Sequence, residues 1–162
     1  MSDYITLATK RFGIMGRPVG HSVSPAMQRA AYEAMGLDAL YMPFEIPDGK
    51  AELAVEAMEI MGFTGCNVTI PYKQTVMPLM DELDESAAAC GAVNTILFKD
   101  GRKKGFNTDG LGFVRGMKEK AGFDPQGKRC LVAGAGGAAR GVTAALAMAG
   151  TSSFRILNRA EE

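Results

Sequence analysis

The sequence predicts an α/β fold that is built on a mostly parallel sheet. Short apolar runs alternate along the chain with longer segments in which apolar residues recur at helical spacing, and this alternation is typical of strands joined by crossover helices. Near the end, a glycine-rich turn directly follows an apolar run and opens an alanine-rich segment, as in Rossmann-like folds. We therefore expect a mostly parallel α/β/α domain over residues 1–108, followed by the first βαβ portion of a Rossmann-like domain over residues 109–162.

The first part of the predicted sheet comes from three strands with two helices between them. Apolar runs at 11–15, 39–45 and 65–70 predict the strands. We expect the first helix to begin at an N-cap Ser24, with Pro25 next, and the second to begin at an N-cap Asp48; Gly36 and Gly62 should end them. Residues at helical spacing define the predicted core faces, which are Met27, Ala30, Ala31, Ala34 and Met35 in the first helix and Leu53, Ala57, Ile60 and Met61 in the second.

A hairpin and a domain junction follow. The dipeptide Asp100-Gly101 predicts a tight turn between a strand at 93–99 and a return strand. A helix is expected over 110–121, and the turn-rich segment that follows it marks the junction. Beyond the junction we predict strands at 129–133 and 153–158, with a helix over 138–149 between them.

Composition and charge exclude several classes of function. Of the 162 residues, 47% are hydrophobic and 22% charged, and 18 basic residues balance 18 acidic ones. Without a net positive charge or a basic stripe, we expect no nucleic-acid partner. No apolar run approaches the roughly 18 residues that cross a bilayer, and the N-terminus lacks an export signal, so we expect a cytoplasmic protein without a membrane partner. Three cysteines and one histidine lack metal-ligand spacing, which favours buried reduced thiols and no metal site.

The glycine-rich turn favours a phosphate-binding role. The segment Gly134-Ala135-Gly136-Gly137-Ala138-Ala139 fits G-x-G-x-x-A between a predicted strand and a predicted helix, the context in which backbone N–H groups at the helix start bind a pyrophosphate. An ordinary strand-to-helix turn is the alternative. The next strand ends in Asn158-Arg159, and arginine attracts the 2′-phosphate of NADP where an NAD site offers a carboxylate. Glu161 and Glu162 keep NAD open as an alternative.

Polar residues near the end of the third strand predict a ligand site. Alternation places Asn67 and Thr69 on one side of the strand, and Pro71 ends it so that Lys73 can project into the same space. Ligands of open α/β sheets bind at the carboxyl ends of the strands. The alternative is that Asn67 and Thr69 satisfy the backbone of a loop.

Two serines after the first strand are candidates for binding a carboxylate. Ser22 and Ser24 are two residues apart, so an extended turn would place both hydroxyls, which are neutral donors, on one side. Ser24 has a second possible role as the helix cap, and the two roles are compatible. We interpret the neighbouring His21 as a structural hydrogen bonder rather than a catalyst.

Lys73 and Asp109 are the candidates for proton transfer. Reduction of a carbonyl by hydride leaves an alkoxide, which must receive a proton. We expect Lys73 to supply it and Asp109 to orient the lysine. A solvated surface lysine and an N-cap aspartate for the helix at Gly110 are the alternative interpretations.

Five segments form a joint pattern with these candidates. They are Gly20-His21-Ser22-Val23-Ser24-Pro25, Asn67-Val68-Thr69-Ile70-Pro71-Tyr72-Lys73, Gly91-Ala92-Val93-Asn94-Thr95, Asn107-Thr108-Asp109-Gly110 and Gly134-Ala135-Gly136-Gly137-Ala138. In order and spacing they resemble the shikimate dehydrogenase family, from about residue 11 to the end of the chain. The resemblance implies NADP-dependent, reversible reduction of 3-dehydroshikimate to shikimate, a step in the biosynthesis of chorismate and the aromatic amino acids.

The resemblance also implies a role for each matching residue. The catalytic pair would be Lys73 and Asp109. The substrate carboxylate would be bound by Ser22 and Ser24, and the ring hydroxyls and reacting carbonyl would be surrounded by Asn67, Thr69, Lys73, Asn94 and Asp109. The cofactor would be bound by Gly134, Ala135, Gly136, Gly137, Ala138, Asn158 and Arg159.

The chain departs from the family pattern in two ways. The family's Asn-Arg-Thr is here Asn158-Arg159-Ala160, which lacks one hydroxyl contact to the 2′-phosphate. The remaining nucleotide strands and a C-terminal segment with a substrate-binding glutamine have no counterpart, so we expect this chain to bind substrate weakly and to show little or no turnover. The alternatives are a quinate/shikimate dehydrogenase that uses NAD and a non-catalytic shikimate-binding fragment. We expect a monomer or a homodimer.

Overall fold

The computed structural model describes residues 4–158, which form two sheets with helices packed on them. The elements are β1 (Lys10–Gly16), α1 (Ser24–Ala34), β2 (Ala39–Glu45), α2 (Ala51–Ile60), β3 (Gly65–Val68), a 3₁₀ turn (Met77–Leu79), β4 (Glu82–Leu83), α3 (Glu85–Cys90), β5 (Thr95–Lys99), β6 (Arg102–Phe106), α4 (Asp109–Ala121), β7 (Arg129–Ala133), α5 (Gly137–Met148) and β8 (Ser153–Leu157). Among these described residues, no helix is both long enough and apolar enough to cross a membrane.

The larger sheet has six strands in the order β2-β1-β3-β5-β6-β4. The pairs β1–β2, β1–β3 and β4–β6 are parallel, whereas β3–β5 and β5–β6 are antiparallel. Asp100 and Gly101 have φ angles of 52° and 69° at the turn between β5 and β6, the left-handed backbone that a two-residue hairpin requires. The predicted mostly parallel sheet with an attached hairpin is confirmed.

Helices cover the two faces of this sheet. On one face, Val55 and Met58 of α2 belong to a buried cluster with Met15 of β1 and Ile96 of β5. Side chains of successive strand residues point to opposite faces, so Phe12 of β1 lies on the other face, where its ring is 5.5 Å from the ring of Tyr32 of α1. The predicted α/β/α layering is thereby confirmed.

The predicted core faces of α1 and α2 are wrong. In α1 the buried residue is Tyr32, while Met27 and the alanines of the predicted face are exposed. In α2 the buried residues are Ala51, Val55 and Met58, and Ile60 of the predicted face is 85% exposed. Both helices carry apolar residues on more than one side, so periodicity fits two faces and packing against the sheet selects one.

The predicted serine and aspartate caps are also wrong. Helix α1 includes Ser24 and has no side-chain cap hydrogen bond. Helix α2 likewise lacks a side-chain cap, because it begins later than predicted, with Lys50 at the N-cap position. The Asp48 carboxylate instead lies 3.4 Å from the Arg17 guanidinium. Gly36 and Gly62 do follow the two helices in the left-handed conformation, with φ of 62° and 70°, as predicted.

The smaller sheet consists of the parallel strands β7 and β8, joined through α5. This is the predicted first βαβ portion of a Rossmann-like fold. Helix α4 packs tightly on α5, since a Cβ added to Gly110 would lie 2.4 Å from the Gly141 carbonyl oxygen and 2.5 Å from Ala145 Cβ. Gly110 therefore sets how closely the two helices approach.

Candidate active site

The candidate side chains come from three adjacent strands and the segments that follow them. In the sheet register, Ile14 of β1 pairs with Asn67 of β3, which pairs with Thr95 of β5. Ser22 and Ser24 follow β1, and Lys73 follows β3. The backbone N–H of Val93 donates to the carbonyl of Lys73 at 2.8 Å, which ties the segment carrying the lysine to the start of the hairpin.

Lys73, in the segment after β3, forms an ion pair with Asp109. The distance from Nζ to Oδ2 is 2.5 Å, and the side chains are 22% and 38% exposed. Asp109 is the first residue of α4, and this helix has no side-chain cap hydrogen bond, so the alternative reading of Asp109 as an N-cap is wrong. The structure brings the two candidates for proton transfer together, 36 residues apart in sequence.

Asn94 holds the second carboxylate oxygen of Asp109. It is 7% exposed, and its Nδ2 donates to Asp109 Oδ1 at 2.7 Å. Its Oδ1 accepts the backbone N–H of Thr108 at 3.0 Å. With one carboxylate oxygen on Lys73 and the other on Asn94, the orientation of Asp109 is fixed from two sides.

Asn67 lies at the centre of a second set of hydrogen bonds. Its Oδ1 accepts from the Tyr41 hydroxyl at 2.7 Å. Its Nδ2 donates to Thr95 Oγ1 at 3.0 Å, and Thr95 Oγ1 in turn donates to Asn94 Oδ1 at 2.9 Å. The two asparagines are therefore linked, so that Tyr41, Asn67, Thr95, Asn94, Asp109 and Lys73 form one continuous chain of contacts.

The two serines lie close to each other and to Tyr41. Ser22 Oγ accepts the backbone N–H of Ser24 at 3.2 Å. The Ser24 side chain does not cap the helix and lies near the Tyr41 hydroxyl. Burial raises the pKa of Tyr41 well above its usual range, and the hydrogen bond with Ser24 partly opposes that effect. The Tyr41 hydroxyl in turn donates to Asn67, so Ser24 lies on the same side of the sheet as Asn67.

Thr69 is placed by the glycine that ends β1. A Cβ added to Gly16 would lie 2.2 Å from Thr69 Cγ2, so only glycine leaves room for the threonine. The backbone N–H of Thr69 donates to the carbonyl of Met15 at 2.9 Å. Thr69 is half-buried and lies one residue beyond the end of β3.

A buried asparagine supports the segment that carries Asp109. Asn107 Oδ1 accepts the backbone N–H of Asp109 at 3.2 Å, and Asn107 Nδ2 donates to the Ala92 carbonyl at 3.0 Å. The backbone N–H of Asn107 donates to Ser86 Oγ, which donates to the Asp84 carboxylate at 2.6 Å. The first turn of α4 is thereby anchored to α3.

The glycine-rich turn has the geometry of a phosphate loop. Gly134 has a φ of 108°, which side-chain-bearing residues rarely adopt. Helix α5 begins at Gly137, and a Cβ at Gly136 or Gly137 would meet no atom within 4 Å. Open space thus lies beside Gly136 and Gly137 at a helix start, where backbone N–H groups can bind a pyrophosphate. Asn158 follows β8, while Arg159 lies outside the described residues.

The cysteines differ in their surroundings. All three are free; Cys66 and Cys90 are buried, as predicted, whereas Cys130 is only half-buried. Burial raises the pKa of the Cys66 thiol to about 12, so it stays protonated at neutral pH. Between residues 4 and 158 the structure contains no group of three His, Cys, Asp or Glu side chains that could hold a metal ion.

Sequence reasoning missed three residues of the site. Thr95 and Thr108 stand inside the motif segments, yet neither received a role, and Tyr41 belonged to a strand that was predicted without any site residue. Strand pairing was the available signal for Thr95, because it lies directly opposite Asn67 in the register. No local pattern marks Tyr41, since its hydroxyl reaches Asn67 of β3 across the intervening strand β1.

Comparisons with known proteins agree with this geometry. Residues 14–96, half of the chain, match the family described as the shikimate dehydrogenase substrate binding domain. A shikimate dehydrogenase (NADP(+)) of Methanopyrus kandleri is 48% identical over 159 residues, which are 98% of this chain and 55% of that protein. The crystal structure of shikimate dehydrogenase from Aquifex aeolicus has a TM-score of 0.91 at 39% identity, covering 98% of this chain and 59% of that one.

A further solved structure contains ligands. The shikimate 5-dehydrogenase from Listeria monocytogenes in complex with shikimate and NAD has a TM-score of 0.92 at 36% identity, covering 100% of this chain and 56% of that one. The chain spans about half the length of the curated relatives it matches. The family match over half the chain confirms the resemblance found in the sequence motifs. The chain therefore belongs to the shikimate dehydrogenase family.

Proposed function

We propose that the chain supplies the substrate-binding and catalytic residues of an NADP-dependent shikimate dehydrogenase, which reversibly reduces 3-dehydroshikimate to shikimate. The observation that carries this proposal is the Lys73–Asp109 ion pair, at 2.5 Å, which Asn94 holds through the second carboxylate oxygen of Asp109. An ammonium group that can donate a proton suits a substrate with a carbonyl, and the neutral donors Ser22 and Ser24 suit a substrate carboxylate.

The proposed mechanism gives each residue a defined task. Ser22 and Ser24 hold the substrate carboxylate, while Asn67 and Thr69 bind ring hydroxyls. When bound, NADPH supplies the hydride that reduces the carbonyl. Lys73 donates a proton from Nζ to the resulting alkoxide oxygen, and Asp109 holds that ammonium in place. In the oxidation direction, the neutral lysine accepts the hydroxyl proton.

Asn94 acts mainly through Asp109 in this proposal. Both its Nδ2 and its Oδ1 already have partners in the segment 108–109. Any contact between Asn94 and a substrate hydroxyl would therefore involve Asp109 as well. Loss of the Asn94 side chain should disturb the orientation of the carboxylate as well as substrate binding.

We propose residues 1–108 as the substrate-binding domain and residues 109–162 as the start of the NADP-binding domain. The larger sheet ends at Phe106 and the smaller sheet begins at Arg129, which supports a division between them. Cofactor binding is assigned to Gly134, Ala135, Gly136, Gly137, Ala138, Asn158 and Arg159. The name of the Methanopyrus relative supports NADP, and the Listeria complex with NAD favours that cofactor as the alternative.

The partners are also proposals. The family supports a small-molecule partner, shikimate or 3-dehydroshikimate. The lack of a nucleic-acid partner rests on the balanced charge of the sequence and stays a prediction. A monomeric or homodimeric state and a cytoplasmic location stay predictions as well.

Steady-state kinetics test the proposed function. In a protein that joins this chain to a complete nucleotide domain, oxidation of shikimate with NADP should be faster than oxidation of quinate with NAD. Lys73→Ala should remove most of the turnover and leave substrate binding largely intact. The 162-residue chain alone should show little or no formation of reduced nicotinamide. Faster quinate oxidation with NAD, or full turnover by Lys73→Ala, would contradict the proposal.

A further inference from the structure

The hydroxyl of Thr95 lies between the side chains of two residues assigned to substrate binding. We propose that Thr95 is a positioning residue, which fixes the orientations of the Asn67 and Asn94 carboxamides and through them the geometry of the site. This inference rests on the proposed function, because it adds a residue to the same site. Thr95 itself does not have to touch the substrate.

The directions of the hydrogen bonds carry the argument. A hydroxyl has one hydrogen to donate, and Thr95 donates it to Asn94 Oδ1 at 2.9 Å. Thr95 Oγ1 can then only accept from Asn67, and Asn67 Nδ2 meets it at 3.0 Å. Asn94 Oδ1 also accepts the backbone N–H of Thr108 at 3.0 Å, so the one hydroxyl couples the two carboxamides and selects which end of Asn67 faces it.

The orientation of each carboxamide also determines which group its other end contacts. With Oδ1 of Asn94 facing Thr95, the Nδ2 group is directed to Asp109 Oδ1 at 2.7 Å. A reversed amide would place its oxygen against the carboxylate, and two acceptors cannot share a hydrogen bond. With Nδ2 of Asn67 facing Thr95, the Oδ1 atom of Asn67 is directed to the Tyr41 hydroxyl at 2.7 Å.

The place of Thr95 in the sheet explains why one hydroxyl reaches both groups. Thr95 is paired with Asn67 of β3 on one side and with Phe106 of β6 on the other. Directly opposed side chains in antiparallel strands lie about 5 Å apart, so Thr95 and Asn67 are neighbours on the same face. The segment after Phe106 leads to Asp109. Thr95 thus stands between the strand that carries Asn67 and the strand that leads to the catalytic pair.

The test compares Thr95→Val, which has nearly the same shape without the hydroxyl, with Thr95→Ser, which keeps the hydroxyl. The first readout is the side-chain amide resonances of Asn67 and Asn94 in the ligand-free, nitrogen-15-labelled chain. Thr95→Val should shift both pairs of resonances, and Thr95→Ser should restore them. Thr151→Val serves as the matched control, since it removes a remote hydroxyl that hydrogen-bonds the Pro125 carbonyl.

The second readout is shikimate affinity, measured by calorimetry on the same chain. Thr95→Val should weaken binding about tenfold, the order expected for losing the hydrogen bonds of one hydroxyl, while Thr95→Ser and Thr151→Val should stay within about twofold of wild type. Unchanged amide resonances in folded Thr95→Val would overturn the inference. Shifted resonances that Thr95→Ser does not restore would overturn it too.

The two readouts separate this inference from the proposed function. If the wild-type chain fails to bind shikimate, the proposed function fails, and the ligand-free amide resonances still decide whether Thr95 orients the asparagines. If wild type binds shikimate and Thr95→Val binds it equally well, the positioning role fails and the proposed function stands. Should Thr95→Val not fold, Thr95→Ala and Thr95→Cys supply the same comparison against Thr95→Ser.

Discussion

Tyr41 lies on β2, two strands away from the residue that its hydroxyl contacts. Its ring is partly buried against α1 and its hydroxyl donates to Asn67 Oδ1 at 2.7 Å. The Ser24 side chain reaches the same hydroxyl. Tyr41 therefore connects Ser24, which is assigned to the substrate carboxylate, with Asn67, which is assigned to the ring hydroxyls.

Replacing Tyr41 with phenylalanine should test this connection. Tyr41→Phe removes the hydroxyl and leaves the acceptor of the half-buried Asn67 without that partner, so the free energy of unfolding should fall by about 1 kcal/mol. Shikimate affinity of the chain should fall as well, because Asn67 and Ser24 lose a shared partner. Chemical denaturation and calorimetry measure the two effects.

The matched control is Tyr72→Phe, which removes a hydroxyl that donates to the Ile46 carbonyl at 2.7 Å. It should lower stability by a similar amount without changing shikimate affinity. Equal affinities for the two variants would show that Tyr41 has only a structural role.

Individual site residues differ in how far the sequence could predict them. Lys73 and Asp109 were predicted from chemistry and motif spacing, and they do form an ion pair. Tyr41 could not be predicted in this way, because its role depends on which face α1 covers and on the strand order, neither of which a local pattern contains. Ser24 was predicted as a site residue and as a cap. The cap is wrong because Ser24 is the first residue of α1 and Val23 occupies the N-cap position.

At the scale of elements, strands were more predictable than helix faces. The bounds of β2 and β7 agree with the sequence prediction, since apolar runs bounded by turn residues have few alternative readings. Helix α2 carries Val55 and Met58 on one side and Leu53 and Ile60 on the other. Hydrophobic periodicity alone fits both sides, so the buried face became known only from packing.

The close packing of α4 on α5 predicts how a substitution of Gly110 changes stability. Gly110→Ala should place a methyl group 2.4 Å from the Gly141 carbonyl oxygen, forcing the helices apart and lowering the free energy of unfolding by about 1–3 kcal/mol. Because Asp109 begins α4, shikimate binding should weaken too. Thermal unfolding and calorimetry measure these changes.

Gly112→Ala is the matched control on the same helix. A Cβ at Gly112 would meet no atom within 4 Å, so the substitution should stabilise the chain by up to about 1 kcal/mol through helix propensity. If Gly110→Ala were as stable as Gly112→Ala, the close packing of α4 on α5 would be wrong.

The N-cap of α3, Asp84, predicts how the stability of the protein depends on pH. Asp84 accepts the backbone N–H of Ser86 at 3.0 Å and its hydroxyl at 2.6 Å, and these hydrogen bonds hold the pKa of Asp84 below its usual value. A carboxyl group with a lowered folded-state pKa stabilises the protein above its unfolded pKa of about 3.9, and this contribution is lost as pH falls through the folded pKa.

Asp84→Ala should therefore lower stability by about 1 kcal/mol near neutral pH. The difference in the free energy of unfolding between Asp84→Ala and wild type should narrow as pH falls below about 4. Asp84→Asn keeps a capping oxygen without a charge and should therefore lose less stability. Urea unfolding of wild type, Asp84→Ala and Asp84→Asn across this pH range measures the differences. A gap for Asp84→Ala that widens on acidification would show that the carboxylate does not act as the cap.

At the scale of the whole molecule, the candidate site joins the two sheets. Lys73, Asn67 and Asn94 belong to the larger sheet and its loops, whereas Asp109 begins the helix that packs on α5 of the smaller sheet. Asn107 anchors this junction through Ala92 and Ser86. The ion pair is thus placed where the proposed substrate and cofactor portions meet.

The family was predictable from the sequence because five motifs occur in the family's order and spacing, and the fold class was predictable because apolar runs alternate with segments of helical spacing. The cofactor site was predictable only in part. The open space over Gly136 and Gly137 agrees with the motif, but a preference for NADP depends on Arg159, which lies outside the described residues. That preference stays a prediction.

The most direct measurement of the central claim is a titration of the nitrogen-15-labelled chain with shikimate, followed by backbone and side-chain amide resonances. Saturable shifts are expected at Ser22, Ser24, Asn67, Thr69, Lys73 and Asp109, with the glycine-rich turn at 134–138 unaffected. Lys73→Ala should retain the shifts at the two serines. If shikimate shifts none of these residues, or shifts only residues elsewhere on the chain, the proposed substrate site is wrong.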